Sequence, residues 1–141
     1  HGGVIGAVPM RKTMLTDKGK GWAGVAIQDP NLLDLTKKII SDLSWRGPCE
    51  IEVIKTNGET SYHLLEINPR FPAWTYLSAG AGQNLPYATI LAAIGETKFD
   101  LSPFRAGTMF VRISIDQIAH ISQFEQITTK GEIIFNQERK G

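Results

Sequence analysis

Cysteine is almost missing from this 141-residue sequence, in which Cys49 is the single copy. One cysteine excludes an intrachain disulfide and any CxxC metal motif, and it suits the reducing cytoplasm, which is the location we expect. Apolar runs of the roughly 20 residues that cross a bilayer are also missing, as is a basic segment leading into a short apolar one. We therefore expect no membrane partner and no export signal.

An excess of charge of one sign is missing too. Fifteen Lys and Arg residues stand against fourteen Asp and Glu residues, and the signs are interspersed. Such a balance provides no broad positive field, so we expect no nucleic-acid partner. The 42% hydrophobic and 21% charged residues are those of an ordinary globular chain with the size of one domain. Because His1 stands first instead of Met, we expect the chain to be a piece of something longer.

Several catalytic motifs are also missing. The segment 17–21 contains Gly-Lys without the spacing of a P-loop, so it predicts only a turn. The three histidines are scattered without ligand spacing, and no nucleophile elbow is present, which excludes the common hydrolase patterns.

Periodicity predicts an α+β chain with a largely antiparallel sheet and helices packed on one side. Asp29 and Pro30 predict a helix start, Gly47 and Pro48 its end, and Asn57-Gly58 predicts a hairpin turn between strands at 49–55 and 61–67. The remaining predicted elements are strands within 2–14 and at 22–27, helices at 71–79 and 86–94, and strands near 111–115 and 132–135.

The predicted hairpin carries an unusual set of polar residues. Glu50 and Glu52 share one face of the first strand, and Glu66 and Asn68 share one face of the second. A two-residue turn would set Glu52 opposite His63 and leave Glu52 and Glu66 on opposite faces. An odd loop, such as three residues with a left-handed glycine, would bring all four onto one face, and the hydrophobic pattern favours it.

Two interpretations of this polar face are open. Carboxylates, an amide oxygen and the guanidinium of Arg70 are what Mg²⁺ bound to nucleotide phosphates requires. The alternative is that these side chains form the solvated face of an ordinary hairpin, which the charge pattern alone does not exclude.

The string Glu66-Ile67-Asn68-Pro69-Arg70 resembles the metal-binding signature of the ATP-grasp superfamily. Glu52 stands fourteen residues before Glu66, as does the upstream metal ligand in relatives of the carbamoyl-phosphate synthetase large subunit. The similarity extends over residues 21–95, from the Lys20-Gly21-Trp22 segment through the Asp29-Pro30 helix start to the Gly-rich turn before Pro86.

The resemblance implies part of an ATP-dependent ligase that activates a small carboxylate substrate as an acyl phosphate and joins it to an amine or similar nucleophile. It implies ATP and Mg²⁺, or Mn²⁺ in its place, as cofactors. Glu52, Glu66 and Asn68 would hold the metal, and Arg70 would neutralise the transferred group. The family also has a basic residue on an earlier strand, for which Arg11 is the first choice and Lys20 the second.

The resemblance also implies a missing part. ATP-grasp enzymes hold the nucleotide between two lobes, and the first lobe, with its adenine pocket, lysines and phosphate loop, has no counterpart in this sequence. We therefore expect residues 1–100 to be the C-terminal, metal-binding lobe and 101–141 a β-rich extension of the same domain. The missing lobe would come from a longer parent chain or a partner subunit. The alternative is a non-catalytic binding or assembly module that retains the lobe architecture.

Overall fold

The computed structural model describes residues 3–116 and 118–132. Its class is α+β, and its sheets are antiparallel, as the sequence predicts. Helices and strands run in the order β1 Met10–Leu15, β2 Gly21–Ala26, α1 Pro30–Asp42, β3 Glu50–Ile54, β4 His63–Asn68, α2 Tyr76–Gly80, α3 Leu85–Ala93, β5 Met109–Val111 and α4 Ile121–Lys130.

The strands form two sheets instead of the single sheet that we expected. One sheet has the order β1-β2-β5, and the other is the β3–β4 hairpin alone. The central strand of the three-stranded sheet, β2, is built from small residues. Ala23 and Ala26 are buried, and a side chain at Gly24 would collide with Met10 and Phe110. Small residues in β2 therefore let its neighbours pack tightly across it.

Helix α1 begins where the sequence predicts. The Asp29 carboxylate caps it by accepting the backbone N–H of Leu32 at 3.0 Å, and Pro30 occupies the first turn. The helix ends at Asp42, before the predicted stop, and Ser44 and Gly47 at positive φ turn the chain toward β3. This short linker sets the start of the hairpin.

The segment after the hairpin is less helical than predicted. Helix α2 starts at Tyr76 instead of residue 71: Pro72 disfavours the helical conformation at Phe71, and the Thr75 N–H donates to the Pro72 carbonyl at 3.0 Å in a tighter i→i+3 turn. Helix α3 matches its prediction closely and is capped by the Asn84 side chain at 3.1 Å from the N–H of Tyr87. Residues 71–75 therefore form a turn beside the hairpin.

The strand predicted near 111–115 is mostly wrong. Strand β5 stops at Val111, and its pairing with β2 extends just beyond that residue through the Arg112 N–H, which donates to the Trp22 carbonyl at 2.9 Å. Helix α4 was not predicted, and it lies in the stretch that we expected to be β-rich. The predicted strand at 132–135 lies outside the described residues except for Glu132, which is not in a strand.

No helix in the described ranges is long and apolar enough to span a membrane. The division of the chain at residue 100 stays a prediction, although β5, which follows that point, pairs with β2, which precedes it.

Candidate active site

The β3–β4 hairpin carries two polar cross-strand pairs on one face. Glu50 lies opposite Asn68, and Glu52 lies opposite Glu66. A β-bulge separates these pairs from the turn end of the hairpin, where Leu65 is the extra residue of β4. We call the Glu50–Asn68 pair the inner pair and the Glu52–Glu66 pair the outer pair.

The bulge, and not the turn, brings the four side chains onto one face. At the turn end Ile54 pairs with His63, and a regular ladder from that pair would set Glu52 opposite Leu65. The extra residue in β4 shifts the register by one and places Glu66 there instead. The shared face is therefore as predicted, while the odd loop proposed to produce it is wrong.

The outer pair joins two carboxylates of like charge. Lys12 Nζ lies 2.6 Å from Glu52 Oε2, and both side chains of this ion pair are only about a quarter exposed. Glu66 forms no ion pair with any described residue, although its Oε1 accepts the Asn68 amide N–H at 2.8 Å. Of the two carboxylates, Glu52 has a cation partner and Glu66 has none among the described residues.

Lys12, not the predicted Arg11, is the basic residue of β1 that reaches the hairpin. The two are neighbours on a strand, so their side chains point to opposite faces, and the side chain of Arg11 is exposed. The sequence could not decide between them, because the choice depends on which face of β1 meets β3. Lys20 lies in the exposed turn before β2, where its backbone N–H donates to Thr16 Oγ1 at 3.1 Å.

The inner pair is built differently, around a buried carboxylate. The Glu50 side chain is 8% exposed. Trp74 Nε1 donates to its Oε1 at 2.8 Å, and Asn68 Nδ2 and Arg70 Nη1 each lie 3.5 Å from its Oε2. Sequence alternation places Glu50 on the polar face but does not indicate a role for it.

Arg70 reaches the same end of the hairpin from the residues after β4. Its Nη1 also lies 3.3 Å from the carbonyl oxygen of Phe71, while the side chain as a whole is 59% exposed. One side of the guanidinium is therefore tied to the protein, and donors remain free to meet a ligand.

A cleft of about 950 Å³ borders this cluster. Its lining includes Arg11, Lys12, Glu50, Glu52 and Trp74 together with apolar side chains of α1 and of the hairpin, such as Leu32 and Ile51, whereas Glu66, Asn68 and Arg70 are not among its lining residues. The cleft therefore borders the cluster at Lys12, Glu50, Glu52 and Trp74.

A second polar contact holds the turn end of the hairpin to helix α1. The Tyr62 hydroxyl donates to Asp29, and this bond, followed by the N–H of Leu32, holds the pKa of the Asp29 carboxyl below its ordinary value. The same bond raises the pKa of Tyr62. Burial raises the pKa of the Cys49 thiol, just before β3.

The protein side chains do not make a complete metal centre by themselves. Within residues 3–116 and 118–132, no three His, Cys, Asp or Glu side chains are grouped so that they could hold a metal ion. Asn68 also donates its amide N–H to Glu66, so its oxygen would have to turn toward the carboxylates to act as a ligand. Further oxygens from a bound phosphate would be needed to complete a hard-cation site.

Residues 1–116 match a family model described as ATP-grasp in the biosynthetic pathway with Ter operon. No curated protein matches the chain significantly.

Proposed function

The chain belongs to this ATP-grasp family, and from that premise we propose that it is the metal- and phosphate-binding part of an ATP-dependent ligase. Membership of the family implies ATP binding and ligase-type chemistry. The observation that carries the proposal further is the outer pair, in which Glu52 and Glu66 stand directly opposite each other.

A like-charged cross-strand pair is costly for a structural face, because the two carboxylates repel each other. Lys12 offsets one of the two charges, and Glu66 remains without a cation among the described residues. A divalent cation bound with nucleotide phosphates would offset the remaining charge. The donor set fits such a cation, since two carboxylates and an amide oxygen are hard oxygen ligands of the kind that Mg²⁺ and Mn²⁺ accept.

We assign the roles of the side chains accordingly. Glu52, Glu66 and Asn68 would hold the metal, which when bound would neutralise charge on the ATP phosphates. Arg70 would contact the transferred phosphoryl group with the donors that face solvent. Lys12 would be the basic residue of the earlier strand, because it already lies at the carboxylates, and it replaces Arg11 and Lys20 in that role.

The proposed reaction joins a small carboxylate to an amine or similar nucleophile through an acyl phosphate, in the cytoplasm. Arg70 and Glu66 are both exposed, so the site needs a second lobe to exclude water and to hold the adenine. Turnover would therefore require that lobe, in the same parent protein or from a partner subunit. The likeness to carbamoyl-phosphate synthetases stays a prediction.

One observation favours the second candidate, a binding or assembly module without turnover. Lys12 Nζ already pairs with one oxygen of Glu52 at 2.6 Å, so the Glu52–Glu66 pair does not require a metal for its stability. In such a module the outer pair would be a surface feature, and neither a metal nor a nucleotide would bind there.

A thermal-shift titration of the intact protein separates the two candidates. We expect Mg²⁺ and ATP together to raise the melting temperature, and ATP with EDTA to raise it much less, because a metal held by Glu52 and Glu66 would strengthen the binding of the phosphates. Equal shifts with and without Mg²⁺ would count against the metal role. No shift under either condition would favour the module without turnover.

A further inference from the structure

Glu50 is a buried carboxylate that the proposed chemistry does not use. Its side chain is 8% exposed, in contrast to the more open Glu52 and Glu66 on the same face. A buried charge is costly unless it is paired and hydrogen-bonded, so its partners indicate what it is for.

The two oxygens of Glu50 have different partners. Oε1 accepts the indole N–H of Trp74 at 2.8 Å, which is a short, well-formed hydrogen bond. Oε2 faces Asn68 Nδ2 and Arg70 Nη1, each at 3.5 Å. The first oxygen is thus held firmly, and it orients the second toward one proposed metal ligand and the proposed phosphate arginine.

Trp74 is itself held by the other sheet. Its ring stacks on Phe110 of β5 with 6.5 Å between centroids and an angle of 10° between planes. The carbonyl of the preceding Ala73 lies 3.4 Å from Arg112 Nη2, next to β5. The anchor of Glu50 is therefore the three-stranded sheet, and not the hairpin on which Glu50 lies.

We infer that Glu50 is a positioning residue that orients Arg70 for its phosphate contact, with Trp74 as its fixed anchor. The 3.5 Å contact with Glu50 Oε2 orients the Arg70 guanidinium and leaves its other N–H donors free to bind phosphate. This inference rests on the proposed function, because it assigns Glu50 a role through the arginine of that site.

The test is a double-mutant cycle on the intact protein, read as the affinity for Mg²⁺ with AMP-PNP, a nonhydrolysable ATP analogue. Glu50→Gln keeps the side-chain volume and an acceptor for Trp74 but removes the charge that holds Arg70. We expect E50Q to weaken binding about tenfold in the wild-type background and less than about twofold in the Arg70→Met background, because coupled residues are not additive. The matched control is Glu59→Gln, an exposed glutamate at the turn of the same hairpin.

A second measurement tests the contact itself. In ¹⁵N-indole NMR spectra, with the resonance assigned by Trp74→Phe, we expect E50Q to move the Trp74 N–H signal upfield, because a neutral acceptor makes a weaker hydrogen bond. If E50Q does not fold, W74F takes its place in the cycle, and we expect the same loss of its effect in the R70M background.

The outcomes separate this inference from the function on which it rests. Equal losses for E50Q in both backgrounds, or no loss in either while Glu66→Gln weakens binding, would overturn the positioning role and leave the proposed function standing. If Glu66→Gln also left binding unchanged, the proposed function would fail, and the role of Glu50 would fail with it.

Discussion

The inner and outer pairs of the hairpin lie side by side on one face, yet their carboxylates are in opposite situations. The buried Glu50 of the inner pair is matched by donors from Asn68, Arg70 and Trp74. The outer pair sets Glu52 against Glu66 with Lys12 as the one cation in contact among the described residues. Both oxygens of Glu50 face donors of the protein, whereas the outer pair has negative charge and carboxylate oxygens left to bind a ligand.

This difference shows why the chemistry of a site is better judged from unmatched groups than from the number of charged residues. The alternation of charges along the strands does not distinguish the three glutamates, and the resemblance to the ATP-grasp signature alone singled out Glu52 and Glu66. Only the outer pair keeps negative charge that the described protein groups do not offset. Changes at Glu52 and Glu66 should therefore affect ligand binding with little effect on stability, whereas changes at the buried Glu50 should affect stability as well as the binding that it supports through Arg70.

The largest effect is expected for Glu66→Gln in the intact protein. This change preserves size and hydrogen bonding but removes a charge from the proposed metal ligands. We expect formation of ADP from ATP to fall about 100-fold, roughly 2.7 kcal/mol of barrier, while the melting temperature stays within a degree or two. Glu59→Gln serves as the control and should leave turnover unchanged. Full activity in E66Q would contradict the metal role.

A stability comparison sharpens the contrast between the pairs. Glu50→Ala leaves the Trp74 indole N–H without its acceptor, so we expect a loss of about 2 kcal/mol in the free energy of unfolding. Glu66→Ala relieves a like-charge pair and should change stability by less than about 0.5 kcal/mol. Urea denaturation of both variants measures the difference. Equal losses at the two sites would mean that the pairs do not differ as described.

Variants of Arg11 and Lys12, the neighbouring basic residues of β1, test which of the two acts at the outer pair. Lys12→Met removes the partner of Glu52, and we expect turnover to fall about tenfold, roughly 1.4 kcal/mol of barrier. Arg11→Met removes a charge that also lines the cleft but lies on the other face of the strand from Lys12, so we expect a smaller loss of turnover. A larger loss in R11M than in K12M would restore Arg11 as the functional residue.

The smallest effect is expected at the far end of the hairpin, where Tyr62 donates to Asp29. Tyr62→Phe should cost about 1 kcal/mol at neutral pH. Because the folded-state pKa of Asp29 lies below its ordinary value of 3.8, this stabilisation is present above that pH and is lost as the pH falls through the folded pKa. Thermal melts should therefore show the gap between wild type and Y62F closing below about pH 4, and a pH-independent gap would contradict this account.

The sequence predicted the chemistry of the hairpin better than its geometry. Alternation placed Glu50 with Glu52 and Glu66 with Asn68, since that pattern is local. The bulge at Leu65 could not be predicted, because alternation along each strand does not fix the register between the two strands. The predicted shared face is confirmed, but a β-bulge produces it and not a loop with an odd number of residues.

The contacts between the two sheets also could not be predicted from the sequence. Choosing Lys12 over Arg11 requires knowing which face of β1 meets β3, and the Trp74 partner of Glu50 comes from the turn that follows the hairpin. Helix α4 is a different case, because Ile121, Phe124 and Ile127 recur at a helical spacing that the sequence does display. The strand alternation before it drew attention away from that signal.

The most direct test of the central claim is the Mg²⁺ dependence of nucleotide affinity at the outer pair. Calorimetric titration of the intact protein with AMP-PNP, in Mg²⁺ and in EDTA, measures this dependence for the wild type and for the Glu52→Gln, Glu66→Gln double variant. We predict at least tenfold tighter binding with Mg²⁺ in the wild type and no gain from Mg²⁺ in the double variant. A double variant that retained the full gain would show that the metal is held elsewhere and would contradict the account.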